Sequence, residues 1–203
     1  MPLLEDAKRT IERVTGLGRP ARKDLALLTR SRKPHLLRFK DDGETPNNTR
    51  CPMILYRSPV KLAHDFDPAA IFEELFEANG WKDSWRDGMY DFLHFHTRTH
   101  EVLGIARGTV RAKFGGAEGK NLDLKAGDVV VLPAGTGHQR LKASKDLLIL
   151  GAYPANGGQY DEPEPEDVSH KDALKSIARV RIPRADPVFG KDGPLKHLWR
   201  LVH

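Results

Sequence analysis

Apolar residues recur with the period of a helix in the first part of the chain. Beyond Gly88 they recur in the short runs that are typical of strands. Near the start, spacings of three and four predict an amphipathic helix over residues 3–15, and a shorter helix is predicted over residues 23–29. A third helix is predicted to begin at Asp67-Pro68. The Asp67 side chain can accept amide hydrogens as a cap, and Pro68 fits the first helical turn. The same period continues to Gly80, which is placed to end this helix.

Beyond Gly88 the apolar residues fall into short runs separated by glycine-containing turns. One strand is predicted earlier in the chain, at Met53–Tyr56. Seven more are predicted beyond Gly88, over residues 89–95, 101–106, 109–114, 121–124, 128–132, 138–141 and 147–153. Many short strands at close spacing indicate an all-β sandwich or barrel, with jelly-roll topology among the options. Trp81 and Trp85 lie in a preceding segment whose pattern predicts no element.

The C-terminal part of the chain has a different composition. Residues 154–170 are rich in Gly, Pro and acidic side chains and predict an exposed linker. A helix over residues 171–178 and a last strand over residues 180–182 are expected next. The tail after residue 182 carries several apolar side chains, so we expect it to pack on the barrel. The chain contains no internal repeat, which favours one barrel over two.

Length and cysteine content narrow the class of protein. The 203 residues suit one domain with appended segments. Cys51 is the only cysteine, which excludes an intrachain disulfide and a zinc site built from several thiolates. The sequence shows neither a transmembrane run nor a secretory signal, so we expect a soluble, cytoplasmic protein.

The net charge of +5 is unevenly distributed. Residues 1–40 hold 11 Lys and Arg against 4 Asp and Glu, whereas the rest of the chain holds 22 against 24. The basic character therefore belongs to an N-terminal extension. Because that extension lacks a helix-turn-helix pattern, nucleic acid is not the expected partner, and its acidic residues argue against an organelle-targeting peptide.

Four residues in the strand-rich region combine the side chains of a metal site. His94 and His96 are two apart, so in a strand they would point to the same face. Glu101 follows five residues later, and His138 begins a different predicted strand after a Pro-x-Gly turn. Taken alone, the His-x-His pair is more often a packed or exposed pair than a chelate.

The spacing of these residues resembles the cupin superfamily, in particular RmlC-like cupins. The first cupin motif, G(X)5HXH(X)3-4E(X)6G, is matched in every spacing by Gly88, His94, His96, Glu101 and Gly108. The second, G(X)5PXG(X)2H(X)3N, is matched by Gly127, Pro133, Gly135 and His138, with Lys142 in place of the final Asn. The resemblance implies a jelly-roll cupin barrel and one divalent metal ion on the three histidines and Glu101.

A narrower resemblance extends from about residue 36 to the end. The runs NGW, WRDG, THEVLG, GDVVVLPAGTGH, GAYP, DPVFG and GPL are similar to those of the uncharacterised YjlB-like single-cupin family. We therefore expect a basic helical extension over residues 1–35 and a single cupin domain over residues 36–203. Within that domain the metal-binding barrel core would be residues 88–153, and the linker and tail residues 154–203.

Two classes of function follow from this set of ligands. Three neutral imidazoles and one carboxylate suit Fe, Mn, Ni, Zn, Co or Cu without selecting one of them. The first hypothesis is a metalloenzyme acting on a small organic molecule, dioxygenase-like or an isomerase or lyase. The alternative is a non-enzymatic cupin that binds or senses a sugar or metabolite. The resemblance also implies a homodimer.

His100 adjoins Glu101 and offers a rival ligand. Side-chain alternation would place the two residues on opposite faces of a strand, so only one of them should reach an ion. The motif spacing favours Glu101. His100 is expected to pack or to support a ligand. Tyr56, Tyr90, Phe92, Phe114 and Gln139 are candidates for the barrel mouth, although core packing is the commoner role of such aromatics.

Overall fold

The computed structural model describes residues 17–161, 163–164 and 166–200, which form nine strands in two antiparallel sheets. The strands are β1 (His35–Leu37), β2 (Met53–Tyr56), β3 (Trp81–Asp87), β4 (Glu101–Arg107), β5 (Thr109–Phe114), β6 (Lys120–Lys125), β7 (Val129–Leu132), β8 (His138–Ala143) and β9 (Leu148–Pro154). One sheet has the order β1-β2-β7-β4-β9-β3, and the other has the order β6-β5-β8. The predicted all-β architecture, with two antiparallel sheets packed as in a jelly-roll barrel, is confirmed.

Both faces of the larger sheet are covered, which explains why its central strands are mostly apolar. Along β7, Val130 and Leu132 face the three-stranded sheet and fill the barrel interior. Val129 and Val131 face the other way, into a second core. All four side chains are buried, as is usual for a strand packed on two sides.

The second core is formed by helix α1 (Pro68–Ala78) against the outer face of the larger sheet. Asp67 caps this helix by accepting a hydrogen bond from the Ala69 amide at 3.2 Å, as its sequence predicts. Phe72 is fully buried and lies over Gly104 of β4. The residue at position 104 must be small, because a Cβ there would lie 2.5 Å from the Phe72 ring.

Chain segments on both sides of the barrel strands extend this core. Leu25 and Leu28, which follow a 3-10 turn at Arg22–Asp24, are buried in it. At the other end, helices α2 (His170–Arg179) and α3 (Leu195–Arg200) follow the last strand. Trp199 of α3 donates to the Pro52 carbonyl at 2.9 Å, so the tail packs on the barrel as expected.

A buried hydrogen bond ties the tail to the larger sheet. The Tyr56 hydroxyl donates to Asp186 at 2.5 Å, and the other oxygen of Asp186 accepts from the Val188 and Phe189 amides. Burial raises the pKa of the Asp186 carboxyl above its usual range, and these hydrogen bonds offset only part of that rise.

This raised pKa predicts a pH-dependent stability. The folded protein holds the Asp186 proton more tightly than the unfolded chain, so this group makes the free energy of unfolding fall as pH rises from about 3.8 through the raised value. Asp186→Asn does not titrate and should become more stable relative to wild type across that interval. Urea unfolding at several pH values measures this difference. The control, Asp91→Asn at a 75% exposed side chain, should follow wild type, and an unchanged slope in Asp186→Asn would contradict the assignment.

Several predicted elements were wrong. Residues 89–95 form no strand, because their pairing is limited to the bridge between His94 and His138 and to single backbone hydrogen bonds at Tyr90 and Phe95. Residues 180–182 are also not a strand, and residues 23–29 are mostly turns rather than helix. β1 was not predicted, and the segment of Trp81 and Trp85 is strand β3. The helix predicted over residues 3–15 lies outside the described residues.

The helices of the described residues are short, and the longest of them, α1, has 11 residues. No helix there is both long and apolar enough to cross a bilayer.

Candidate metal centre

A backbone bridge brings the two halves of the predicted site together. The His138 amide donates to the His94 carbonyl at 2.9 Å, and the His94 amide donates to the His138 carbonyl at 3.2 Å. The ring centroids of these two residues are 4.1 Å apart. The histidine of the second motif therefore lies directly against the first motif, although 44 positions separate them in the sequence.

The Pro-x-Gly turn sets the direction in which β8 starts. Gly135 has a φ of +91°, which favours glycine, and its amide donates to the His96 carbonyl at 2.7 Å. A Cβ at this position would lie 2.6 Å from the Asn47 carbonyl oxygen. The glycine thus permits the close approach that places His138 at the first position of β8.

All three histidines present the same ring nitrogen to the backbone. Nδ1 of His94 faces the Phe92 carbonyl at 3.4 Å, and Nδ1 of His138 faces the Thr136 carbonyl at 3.1 Å. Nδ1 of His96 is hydrogen-bonded to the carbonyl of Asp161. A carbonyl only accepts, so each Nδ1 carries its proton and Nε2 is left to bind a metal. The three residues offer ring nitrogens that lie within 4.8 Å of one another, so they could hold a metal ion.

Glu101 reaches the same point from β4. Its side chain shares the inner face of the strand with Leu103 and Ile105, which fill the barrel interior. Oε2 of Glu101 lies 3.1 Å from His96 Nε2 and 3.4 Å from His138 Nε2. Burial opposes ionisation of this carboxyl, but the two imidazoles outweigh burial and lower the pKa of Glu101 below its usual range. The carboxylate is therefore charged.

The histidines of the cluster have different protonation equilibria. Burial, reinforced by the two neighbouring imidazoles, lowers the pKa of His94 to about 3, so this ring is neutral at physiological pH. Burial also disfavours the charged form of His96, but the adjacent Glu101 carboxylate outweighs it and raises the pKa of His96. The site consequently places a neutral imidazole, His94, and a more readily protonated one, His96, around one carboxylate.

His100 lies on the opposite face of the strand from Glu101. Its Nδ1 accepts a hydrogen bond from the Ala134 amide at 2.9 Å, and its ring packs against Trp199 at 4.7 Å. Burial lowers the pKa of His100 to about 3. The geometry gives His100 a packing role on the far side of the sheet from the cluster.

A cavity of about 990 Å³ opens beside the cluster. Its wall includes the four candidate ligands, and other lining residues come from β3, β8, β9 and the segment after β9. Tyr153 of β9 lines it, and its hydroxyl accepts from Trp85 Nε1 at 2.8 Å. Burial and the charge of Glu101, to which this hydroxyl is hydrogen-bonded, raise the pKa of Tyr153 far above its usual range, so the phenol remains protonated.

The sequence identified few of these lining residues. Of the suggested aromatics, Tyr90 lines the cavity, whereas Tyr56 and Phe114 belong to the two cores. Tyr153 lies four residues after Ile149 on β9, and period-two alternation places both on the inner face. Alternation was therefore the signal that could have found it.

The predicted linker is partly built into the site. Tyr160 packs on the His96 ring at 5.3 Å. The Asp161 carboxylate accepts from the Thr97 hydroxyl at 2.5 Å and from the Thr97 and Arg98 amides at 3.0–3.1 Å. The prediction of an exposed linker holds for the Tyr160 side chain, which is 45% exposed, but it is wrong at Asp161, whose contacts hold the segment against the barrel.

Comparison with known proteins assigns the chain to a family. No family model matches it. The uncharacterized protein YjlB of Bacillus subtilis is 37% identical over 161 residues, which cover 79% of this chain and 93% of YjlB. This chain belongs to the YjlB family. The aligned length shows that the family shares most of this chain.

Solved structures resemble this YjlB-family protein only in part. An acireductone dioxygenase from Bacillus anthracis, solved with a cadmium ion in its active centre, is 17% identical with a TM-score of 0.34 and covers 49% of this chain and 70% of its own. Bacillus subtilis oxalate decarboxylase, studied for its Mn(II) centres, is 17% identical with a TM-score of 0.33. That match covers 58% of this chain and 28% of the decarboxylase. Neither likeness bears on the chemistry of this chain.

Proposed function

We propose that this protein is a metal-dependent enzyme that acts on a small organic molecule. The ion would be held by His94, His96, Glu101 and His138. The observation that carries the proposal is the convergence of three imidazoles and one charged carboxylate on the wall of a 990 Å³ cavity. A purely structural metal site is usually closed, whereas a site beside a cavity has room for a substrate.

The hydrogen bonding of His96 supports the presence of a cation. Its Nδ1 faces the Asp161 carbonyl and its Nε2 faces the Glu101 carboxylate, and both of these partners only accept. A neutral imidazole has one proton and can satisfy only one of them. Either a second proton or a metal ion must therefore lie between His96 and Glu101. The nitrogen and oxygen donors suit Fe, Mn, Ni, Zn, Co or Cu.

The chemistry follows from the ion and the residues around it. A divalent ion held by the three histidines and Glu101 would supply Lewis-acid chemistry and substrate orientation, which suit a dioxygenase-like reaction or an isomerase or lyase. The protonated Tyr153 hydroxyl, held between Trp85 and Glu101, would lie beside the bound substrate. Tyr160 and the Asp161 segment would cover one side of the His96 ring and limit its contact with water.

Metal uptake tests the proposal directly. We expect the purified protein, after anaerobic reconstitution, to bind one Fe(II), Mn(II), Ni(II) or Zn(II) per chain by elemental analysis. Uptake in weakly buffered solution should release protons, because the raised pKa of His96 favours a second proton that the metal would replace. Absence of stoichiometric binding for every ion would overturn the metal site.

Oxygen consumption then separates the reaction classes. Substrate-dependent oxygen uptake by the iron form would establish a dioxygenase-like enzyme. Turnover without oxygen would indicate an isomerase or lyase. A tightly bound ion with no turnover of any tested compound would leave the alternative, a cupin that binds or senses a sugar or metabolite.

We also propose a cytoplasmic homodimer of RmlC-like type. The larger sheet ends in β1 and β3, and β1 exposes Leu36 at that edge, which leaves a strand available for pairing. Light scattering on the reconstituted samples should give about twice the chain mass of 22.8 kDa. A mass of one chain would reject the dimer.

A further inference from the structure

Arg140 lies on the wall of the cavity, in line with a proposed metal ligand. It follows His138 by two positions on β8, and residues two apart on a strand share a face. The pairing of β8 with β5 matches Ala112 to Arg140 and Arg111 to Lys142, so one extra residue, Leu141, bulges out. His138, Arg140 and Ala143 consequently all line the cavity.

The hydrogen-bonding capacity of Arg140 is little used. Its Nε is buried and has no hydrogen-bond partner among the described residues. Its recorded ion pair joins Nη2 to Asp91 at 3.2 Å, and the Asp91 side chain is 75% exposed. An ion pair this exposed contributes little, whereas a buried N–H without an acceptor is costly. The guanidinium is therefore held by one exposed carboxylate, and its Nε has no acceptor among the described residues.

The other arginine of the cavity provides a contrast. Arg86 is bonded at 2.7 Å to Asp67 and at 2.7 Å to Glu73, so its charge is already matched. The remaining cavity carboxylates, Asp83 and Asp87, are exposed. Arg140 is thus the cationic side chain of the described cavity wall whose charge is least compensated.

The rest of the wall suits an apolar group. Trp85, Met89, Leu103, Leu147 and Ala143 all contribute to it. An amphipathic ligand could place a charged end on Arg140 and its body against these side chains. The planar guanidinium fork matches a carboxylate. A phosphate monoester would bring about two negative charges towards Glu101 and the exposed aspartates.

We propose that the ligand of this cavity is a small carboxylic acid with an apolar or aromatic body, whose carboxylate binds Arg140. This inference deepens the proposed function and rests on it for the role of the ion. It makes Arg140 the determinant of substrate class. The ion and the Tyr153 hydroxyl would then face the remainder of the acid.

Calorimetric titration with a matched pair of probes tests Arg140. Phenylacetate and its neutral amide, phenylacetamide, differ in charge but little in shape. We expect phenylacetate to bind the Zn(II)-loaded wild type more tightly than the amide, and Arg140→Gln to weaken the acid at least about tenfold while leaving the amide unchanged. Arg140→Lys, which keeps the charge but loses the fork, should be intermediate.

Two controls show whether weaker binding by Arg140→Gln reflects the lost charge in the cavity. They exclude an effect of the protein's net charge and an effect of misfolding. Arg111→Gln removes the same charge from the neighbouring strand β5, where Arg111 is exposed and pairs with Asp123 at 4.0 Å, and it should bind phenylacetate like wild type. Circular dichroism and zinc content establish that Arg140→Gln is folded. Titrations with acetate, hexanoate and inorganic phosphate should show affinity rising with the apolar body and no preference for phosphate.

Each outcome decides between the two proposals. Equal binding of acid and amide by wild type, or unchanged acid binding in Arg140→Gln, would overturn the role of Arg140. Tighter binding of phosphate than of every carboxylate would overturn the ligand class. The same titrations on metal-free protein distinguish a failure of this inference from a failure of the proposed metal site. If the acid binds in an Arg140-dependent way and the protein takes up no metal, only the metal site is rejected.

Discussion

Replacing His138 by alanine is expected to lower the affinity for Zn(II) by at least about 100-fold while the barrel stays folded. Loss of a supporting residue around a metal typically costs 10- to 100-fold in affinity, and loss of a ligand should cost more. The fold should survive because the cores on both sides of the larger sheet do not include the His138 ring. Chelator competition measures the affinity, and circular dichroism measures the fold.

The same loss is expected for His96→Ala, and a matched histidine provides the control. His35 lies on the edge strand β1 with an exposed side chain, so His35→Ala should bind zinc like wild type. Glu101→Gln keeps the shape of the ligand and removes its charge, so it should weaken binding without disturbing packing. Stoichiometric zinc at unchanged affinity in both His96→Ala and His138→Ala would reject the assigned site.

The largest expected effect on stability concerns the contact between α1 and the larger sheet. Phe72→Ala should lower the free energy of unfolding by about 3–5 kcal/mol, because a fully buried ring is replaced by a cavity. Gly104→Ala should lower it by about 1–3 kcal/mol, because the new Cβ would overlap the Phe72 ring. Urea unfolding of each variant gives both values.

The double variant distinguishes this contact from two independent defects. With the ring removed, the methyl group of Gly104→Ala has space, so its added cost in the Phe72→Ala background should be close to zero. Leu27→Ala, at a side chain that is 70% exposed, should change stability by less than about 0.5 kcal/mol. Strict additivity of Gly104→Ala and Phe72→Ala would show that the predicted overlap is relieved by a backbone shift.

The barrel strands could be predicted well from the sequence because the patterns that indicate them are local. Strands β4 to β9 are short apolar or alternating runs between turns, and Gly108, with a φ of +72°, lies at one such turn. Residues 89–95 show where this reasoning fails. Their alternation resembles a strand, yet a strand requires a partner along its length, and here only His94 forms a bridge, while Tyr90 and Phe95 each make one isolated backbone hydrogen bond. Pairing depends on the rest of the fold.

The candidate site was likewise predictable in part. The spacing of His94, His96, Glu101 and His138 placed four polar residues on one interior face, and the structure brings them together. Arg140 and Tyr153 follow from alternation once β8 and β9 are known. The contacts of Asp161 had no local signal, since they join positions more than 60 residues apart through loops whose path depends on tertiary packing.

The Asp161 contact has a consequence for the order in which the molecule is assembled. All four candidate ligands precede residue 139 in the sequence, but the carbonyl that orients His96 arrives with residue 161. A nascent chain that has completed β9 therefore has every ligand and not yet the correct tautomer of His96. We expect full metal affinity only when the segment that carries Asp161 docks on His96, which comes after the last barrel strand is complete.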